Sequence, residues 1–262
     1  MALIHSLEKS GNFLFKYRGQ IPVIIFLIGM PMIYFGHYDF LTHLSVQNRE
    51  VFRVIILILS IAVSLAGFLV RAYTIGTTPR GTSGRNTDKQ VAEQLNTKGI
   101  YSVVRHPLYL GNYLMWAGLL IFSMNFYLFV IISLCYWLYY ERIIFTEERY
   151  LEKCFGEDFI RWSKEVPAFV PSFKNYRPGN IPFSFKAVLR REYAGFFAMV
   201  FSFTVVDYWL QFTFYRHYPE IVSVFQWFRP SLIVLLVALV CMLVLRTLKH
   251  HTNLLNAESN RD

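Results

Sequence analysis

Apolar runs alternate with polar stretches of unequal length along the chain, and six of the runs predict membrane-spanning helices. The first, IPVIIFLIGMPMIYFG at residues 21–36, is a little short for a full crossing, and Pro31 predicts a kink in it. The second, VFRVIILILSIAVSLAGFLV at 51–70, places Arg53 near its start, where the side chain can snorkel to the interface. A polar segment from 71 to about 106 follows. LYLGNYLMWAGLLIFS at 108–123 and FYLFVIISLCYWLYY at 126–140 are then joined by a tight Met-Asn turn, which predicts a helical hairpin. Residues 141 to about 192 are polar again, and the last two spans lie near 193–214 and 231–248.

Six spans put both termini on one side. Lys9, Lys16 and Arg18 precede the first span, and Arg71, Arg80, Arg85, Lys89, Lys98 and Arg105 lie between the second and third. Ten more basic residues run from Arg142 to Arg191, while the opposite side holds only Arg49, Arg53, Arg216 and Arg229. The positive-inside rule therefore predicts cytoplasmic termini and cytoplasmic long polar segments. Composition agrees with an integral, multi-pass, all-α bundle: 55% of residues are hydrophobic and only 16% are charged. The net charge of +9 sits between apolar runs, where anionic lipid is the natural partner and nucleic acid is not. Cys135, Cys154 and Cys241 show no CxxC or Cys/His spacing, so no disulfide framework and no metal are expected. The first twenty residues lack the pattern of a cleavable signal, and the first apolar run reads as a retained anchor.

Two polar segments look richer than connectors. RHPLYLGN at 105–112 opens an apolar run with a cation, an imidazole and a proline. Arg105 anchoring at the headgroups and Pro107 in the first helical turn are one explanation; a polar site built at the boundary is the other. In EERYLEKCFGEDFIRWSKEVPAFVPS at 147–172, Leu151, Phe155, Phe159 and Trp162 recur at helical spacing and predict an amphipathic helix ended by Pro167 and Pro171. Glu147 and Glu148 then fall at its start, where they could serve merely as partners of the helix dipole. Because a hairpin of two spans separates them, residues 105 and 147 return to the same membrane face.

The ordered set of Arg105, His106, Pro107, Tyr109 and Gly111, followed by Glu147, Glu148 and Leu151 and then FGEDFIRWSKEVPAFVPS, resembles the isoprenylcysteine carboxyl methyltransferase and phospholipid methyltransferase superfamily over roughly residues 60–175. The resemblance implies an integral membrane enzyme that uses S-adenosylmethionine to methylate a lipid or lipid-linked acceptor. It implies a cofactor pocket at the cytoplasmic face formed by His106, Tyr109, Gly111, Glu147 and Glu148, with Gly99 and Tyr101 shaping its entrance. Carboxylates suit the ribose hydroxyls or ammonium of such a cofactor, and aromatic faces suit its sulfonium. An acceptor carboxylate or phosphate needs an orienting cation, for which Arg105 is the first candidate and Arg142 the second; the alternative for Arg142 is snorkelling. An amine acceptor would instead need a base, with Glu148 or His106 available.

Two features depart from the family pattern. About ninety residues with two further spans follow the VPAFVPS segment, which divides the chain into an anchor region at 1–50, a methyltransferase-like core at 51–175 and an extension at 176–262. Asp207 lies within the fifth span, either as a functional acid or paired with Tyr208 or an arginine. TTPRGTSGRNT is either a solvated loop or a backbone nest in which Arg80 and Arg85 bind a phosphorylated headgroup of the substrate or of surrounding lipid. The expected function is O-methylation of a lipid-like acceptor in the bacterial inner membrane or the endoplasmic reticulum. A membrane sterol or lipid reductase using a reduced nicotinamide cofactor, and a non-enzymatic scaffold or transporter, are the alternatives.

Overall fold

The computed structural model describes residues 3–79 and 92–256, and every regular element among them is helical. Helix α1 (Leu3–Lys16) and helix α2 (Ile21–Tyr34) meet at a bend of 86°. A short α3 (Asp39–Thr42) leads to the long α4 (Val46–Thr77), capped by Ser45, whose hydroxyl accepts from the Asn48 amide. A 3₁₀ turn at Gly99–Ser102 precedes α5 (Pro107–Phe122). Met124, at φ 54°, and Asn125 make the tight turn into α6 (Phe126–Phe155), and the Asn125 side chain caps it through the Leu128 amide. The chain ends with α7 (Glu157–Glu165), α8 (Phe185–His217) and α9 (Pro230–His251). Arg80 and Arg85 lie outside the described residues.

Each of the six apolar runs forms a helix, although not six equal spans. Helices α4, α6, α8 and α9 are long and apolar enough to cross a bilayer, and the bent pair α1–α2 would make a fifth. Helix α5 has 16 residues, about 24 Å at 1.5 Å per residue, against a hydrocarbon core of about 30 Å. Its partner α6 continues from Glu147 to Phe155, roughly two turns past the level of the α5 entrance. The polar segment expected from residue 71 starts later, because α4 stays helical to Thr77 and keeps Arg71 within it. The residues assigned by charge to one side of the membrane, near Arg18, Arg105, Glu147 and Arg191, converge at one end of the bundle. Arg53 and Arg229 line a second cavity together at the other.

Among apolar helices in lipid, burial of greasy surface does not distinguish one pairing from another, so close packing of small residues decides. Helices α4 and α5 show this. Ser60, Ser64 and Gly67 face Gly111 and Gly118, and the Ser64 hydroxyl donates to the Met115 carbonyl at 2.8 Å. A Cβ on Gly67 would stand 2.5 Å from the Gly111 carbonyl oxygen, and one on Gly118 would stand 2.3 Å from that of Ser60. The two backbones can touch only without those methyl groups. Large apolar side chains such as Ile58, Leu69, Ile233 and Val237 point outward, as lipid-facing positions should.

Gly67→Leu is expected to cost about 1–3 kcal/mol through overpacking and to lower the melting temperature in nanodiscs. Gly29→Ala is expected to leave it nearly unchanged, since a Cβ there meets only Leu128 Cδ1 at 3.5 Å. Equal melting temperatures for all three proteins would remove the α4–α5 seam as a stability determinant.

Candidate functional site

The segment before α5 is laced to the segment after α7. The Arg105 amide donates to the Pro167 carbonyl at 2.9 Å, the His106 amide to Ala168 at 3.2 Å, and the Ser172 amide to Val103 at 3.0 Å. Arg105 fastens the same junction with its side chain. One terminal nitrogen donates to the Ser163 and Val166 carbonyls at 2.7 and 2.5 Å, and Nε donates to Glu148 Oε1 at 2.8 Å. Trp162 Nε1 donates to the Tyr101 carbonyl at 3.0 Å, while Phe159, Trp162 and Val166 pack with Leu95, Tyr101, Leu151 and Phe155. The amphipathic pattern of 151–162 is thus one apolar face, though not one helix. Gly156, at φ +51°, breaks α6 from α7 and allows both to reach the same cluster. Glu147 and Glu148 consequently lie deep within α6 rather than at a helix start, so the dipole explanation for them fails.

His106 sits between those two carboxylates. Its Nε2 lies 3.0 Å from Glu148 Oε1 and its Nδ1 lies 3.5 Å from Glu147 Oε2, with only 7% of the side chain exposed. Ionised carboxylates only accept, so an imidazole satisfies both partners only when both nitrogens carry protons. Burial pulls the His106 pKa down, but hydrogen bonds and charge from Glu147 and Glu148 outweigh it and raise the pKa above the ordinary histidine value. Tyr109 OH donates to Glu147 Oε1 at 2.7 Å, and its ring stacks on His106 with centroids 5.7 Å apart. Arg18, at the bend between α1 and α2, lies 3.9 Å from Glu147 and 4.0 Å above the Phe15 ring.

His106, Tyr109 and Glu147 open onto a cavity of about 860 Å³, within the usual size of small-molecule sites. Its polar end is lined by Gln94, Asn96, Tyr101, Tyr150 and Trp162, and its apolar end by Trp116, Leu119, Met199 and Phe203. The Glu147 carboxylate, amide groups and aromatic faces stand together at the polar end. That donor set fits the ammonium, ribose, base and sulfonium of S-adenosylmethionine.

The expected site residues divide accordingly. Arg105, His106, Tyr109, Glu147 and Glu148 are brought together. Gly111 faces away from that cluster and receives the stem of Arg71, whose Cγ is 2.5 Å from where a Cβ on Gly111 would be. Arg142 does not line the cavity; it donates to Ser10 Oγ at 3.3 Å across the α1–α6 contact. Arg80 and Arg85, the expected headgroup ligands, lie outside the described residues. Asp207 takes the paired alternative, accepting from Arg229 through both oxygens at 2.7 Å and from Ser231 Oγ at 2.6 Å. The cavity lining that the sequence did not flag includes a charged pair, Arg71 of α4 and Glu192 of α8, joined at 2.7 Å with Glu192 3% exposed. The available signal was a cation and an acid beside two apolar runs predicted to start or end on one side.

Residues 51–158 match the family model for phospholipid methyltransferase. The protein-S-isoprenylcysteine O-methyltransferase of Schizosaccharomyces pombe is 32% identical over 114 residues, covering 41% of this chain and 48% of that protein. Cobalt-zinc-cadmium resistance protein CzcN of Cupriavidus metallidurans is 36% identical over 95 residues, covering 36% and 41%. Protein-S-isoprenylcysteine O-methyltransferase B of Arabidopsis thaliana is 32% identical over 79 residues, covering 30% and 40%. The chain spans about half the length, or less, of these curated relatives. No solved structure matches it. The matches support the superfamily resemblance over the segment that carries the RHPxYxG and EExxL residues.

A raised histidine pKa makes a signed prediction. The imidazolium's stabilisation is fully present below the unfolded value of about 6.5 and is lost as pH rises through the folded value. Melts of wild type and His106→Gln in nanodiscs should therefore differ most near pH 6 and converge as the pH is raised. A gap that widens with pH would mean that His106 is held neutral.

Proposed function

We propose that this protein is an S-adenosylmethionine-dependent membrane methyltransferase acting on an oxyanion, carboxylate or phosphate, of a lipid or lipid-linked acceptor. The observation that carries this reading is the single cavity joining His106, Tyr109 and Glu147 to Trp116, Leu119, Met199 and Phe203. A water-soluble cofactor and a membrane-embedded acceptor can meet there without either leaving its own medium. The names of the isoprenylcysteine O-methyltransferase relatives and the phospholipid methyltransferase match support the same chemistry.

In this reading Glu147, with Tyr109 and His106 fixing its carboxylate, holds the cofactor's polar groups, and Glu148 holds His106 and Arg105 in register. The cofactor supplies, when bound, an electrophilic methyl group on a sulfonium cation. The chain's own contribution is alignment and exclusion of water, which suffices for an acceptor oxyanion that is ionised at neutral pH and needs no general base. Arg105, with Nε and one terminal nitrogen committed to Glu148, Ser163 and Val166, braces the site, and Arg142 serves α1–α6 packing. The polar end of the cavity and both termini face the cytoplasm, following the distribution of basic residues.

Thermal melts in nanodiscs test the cofactor. S-adenosylhomocysteine should stabilise the wild type, and His106→Ala and Glu148→Ala should each require at least about tenfold more of it while still inserting in the membrane. Stabilisation by reduced nicotinamide dinucleotide phosphate instead would make the protein a reductase, and no response to either would leave a scaffold or transporter. Incubation with methyl-labelled S-adenosylmethionine and a total membrane lipid extract should then yield a lipid heavier by one labelled methyl group.

A further inference from the structure

We propose that Arg71, fixed by Glu192 and Asn112, is the seat of the acceptor's anionic group, so that helix α8 of the C-terminal extension takes part in choosing the acceptor; the word acceptor rests on the methyltransferase reading. Glu192 lies beyond the segment 51–158 that matches the family model.

The first support is hydrogen-bond arithmetic. Arg71 Nε donates to Glu192 Oε2 at 2.8 Å, one terminal nitrogen to Glu192 Oε1 at 2.7 Å, and the other to Asn112 Oδ1 at 2.6 Å. A guanidinium has five N–H donors, so one remains on each terminal nitrogen. Two donors in one plane suit a carboxylate or a phosphate. Asn112 is itself held, donating to Tyr140 OH at 3.1 Å. The guanidinium is therefore oriented before any ligand arrives.

The second support is position. Along α5, Tyr109, Asn112, Trp116 and Leu119 follow one another on the cavity wall; along α8, Glu192, Gly195, Met199 and Phe203 do the same. Both ladders run from polar to apolar. Asn112 and Glu192 mark the level where they change, and Asn112 lies about 4.5 Å along α5 from Tyr109. An amphiphile whose tail lies against Trp116, Leu119, Met199 and Phe203 brings its head to Arg71. The small residue beside Glu192 leaves room, since a Cβ on Gly195 would meet only Glu192 Oε2 at 3.4 Å.

The third support is charge. Among the described residues, the arginines and carboxylates lining the cavity are Arg18, Arg71, Arg105 and Arg191 with Glu147 and Glu192, and Glu148 behind them is engaged by Arg105 and His106. An anion entering beside the neutral Arg71–Glu192 pair meets the Arg18 and Arg105 guanidinium groups in the same cavity. Arg105, the cation expected from the sequence, gives three of its five donors to lacing the loops and keeps its remaining two on one terminal nitrogen, whereas Arg71 keeps one on each and shares its cavity with the apolar trough.

The test uses the full chain in nanodiscs, titrated with dodecanoate, dodecyl phosphate, methyl dodecanoate and S-adenosylhomocysteine while melting is followed. At least one of the two anions should stabilise the wild type at concentrations about tenfold below the uncharged ester, and the better of them tells a carboxylate from a phosphate acceptor. The double variant Arg71→Met/Glu192→Met removes both charges together and leaves no lone buried ion. It should lose the preference for an anion while its response to S-adenosylhomocysteine stays within about threefold. Equal response of the wild type to both anions and the ester would overturn the proposal, as would an anion preference that survives in the double variant. Should that variant not fold, Arg71→Lys decides: it keeps the charge without the planar fork, and an undiminished anion preference sinks the proposal. Loss of the S-adenosylhomocysteine response in the wild type, with the anion preference intact, would remove the methyltransferase reading and leave the anion seat standing.

Discussion

Everything at the cavity depends on how closely α4 and α5 approach. Three glycines and two serines let the backbones touch, and that contact sets the depth at which α5 begins. With α5 short, its first turn carries His106 and Tyr109 below the end of α6, where Glu147 and Glu148 wait. The same crossing runs Arg71 beside Gly111, so the motif glycine makes space for a side chain of the neighbouring helix rather than for a ligand. One steric condition thereby aligns two polar stations one above the other.

Buried charge makes the arrangement specific. A carboxylate or guanidinium in apolar surroundings is tolerated only with full partnership, and removing one partner of such a pair typically costs about 3–5 kcal/mol. Glu192 answers Arg71 through both oxygens; Glu148 answers Arg105 and His106 together. Each partnership joins elements distant in sequence: α4 to α8, and the α5 entrance to α6. The loops are then drawn in by backbone pairing of Val103, Arg105 and His106 with residues 167–172, which explains why the VPAFVPS segment accompanies RHP: it supplies the acceptors for that segment's amides.

The sequence made much of this legible and left other parts hidden, for physical reasons. Apolar runs report helices because lipid requires backbone groups to be satisfied within a helix, so all six were visible. The hairpin of α5 and α6 followed from the turn at Met124–Asn125, and it already placed His106 and Glu147 on one membrane face. Helix boundaries were harder. Arg71 looked like the first residue of a loop because a cation ends an apolar run by composition, yet Glu192 lets α4 carry it for six further residues to Thr77. Glu147 and Glu148 looked like a helix start because the polar sequence begins there, whereas α6 continues through it. Arg105 was visible as a cation at a boundary; its engagement by Ser163 and Val166 was not, since carbonyl positions carry no residue signature.

The opposite end of the bundle shows what a charged cluster looks like when it is closed. Asp207 accepts from Arg229 through both oxygens and from Ser231, in a second cavity of about 910 Å³. Arg53 beside it is paired with Glu50 at 3.3 Å. Among the described residues lining it, Arg53 and Arg229 balance Glu50 and Asp207, and Asp207 ties α8 to the start of α9, so the paired one of its two alternatives holds and the intramembrane acid acts as a clasp. At the His106 end, among the described residues, the cavity-lining cations outnumber the carboxylates, although the same residue types are used. Oriented donors beside an apolar trough, rather than the mere presence of ionisable residues in a membrane helix, distinguish the end proposed to receive an anionic amphiphile from the end where Asp207 joins α8 to α9.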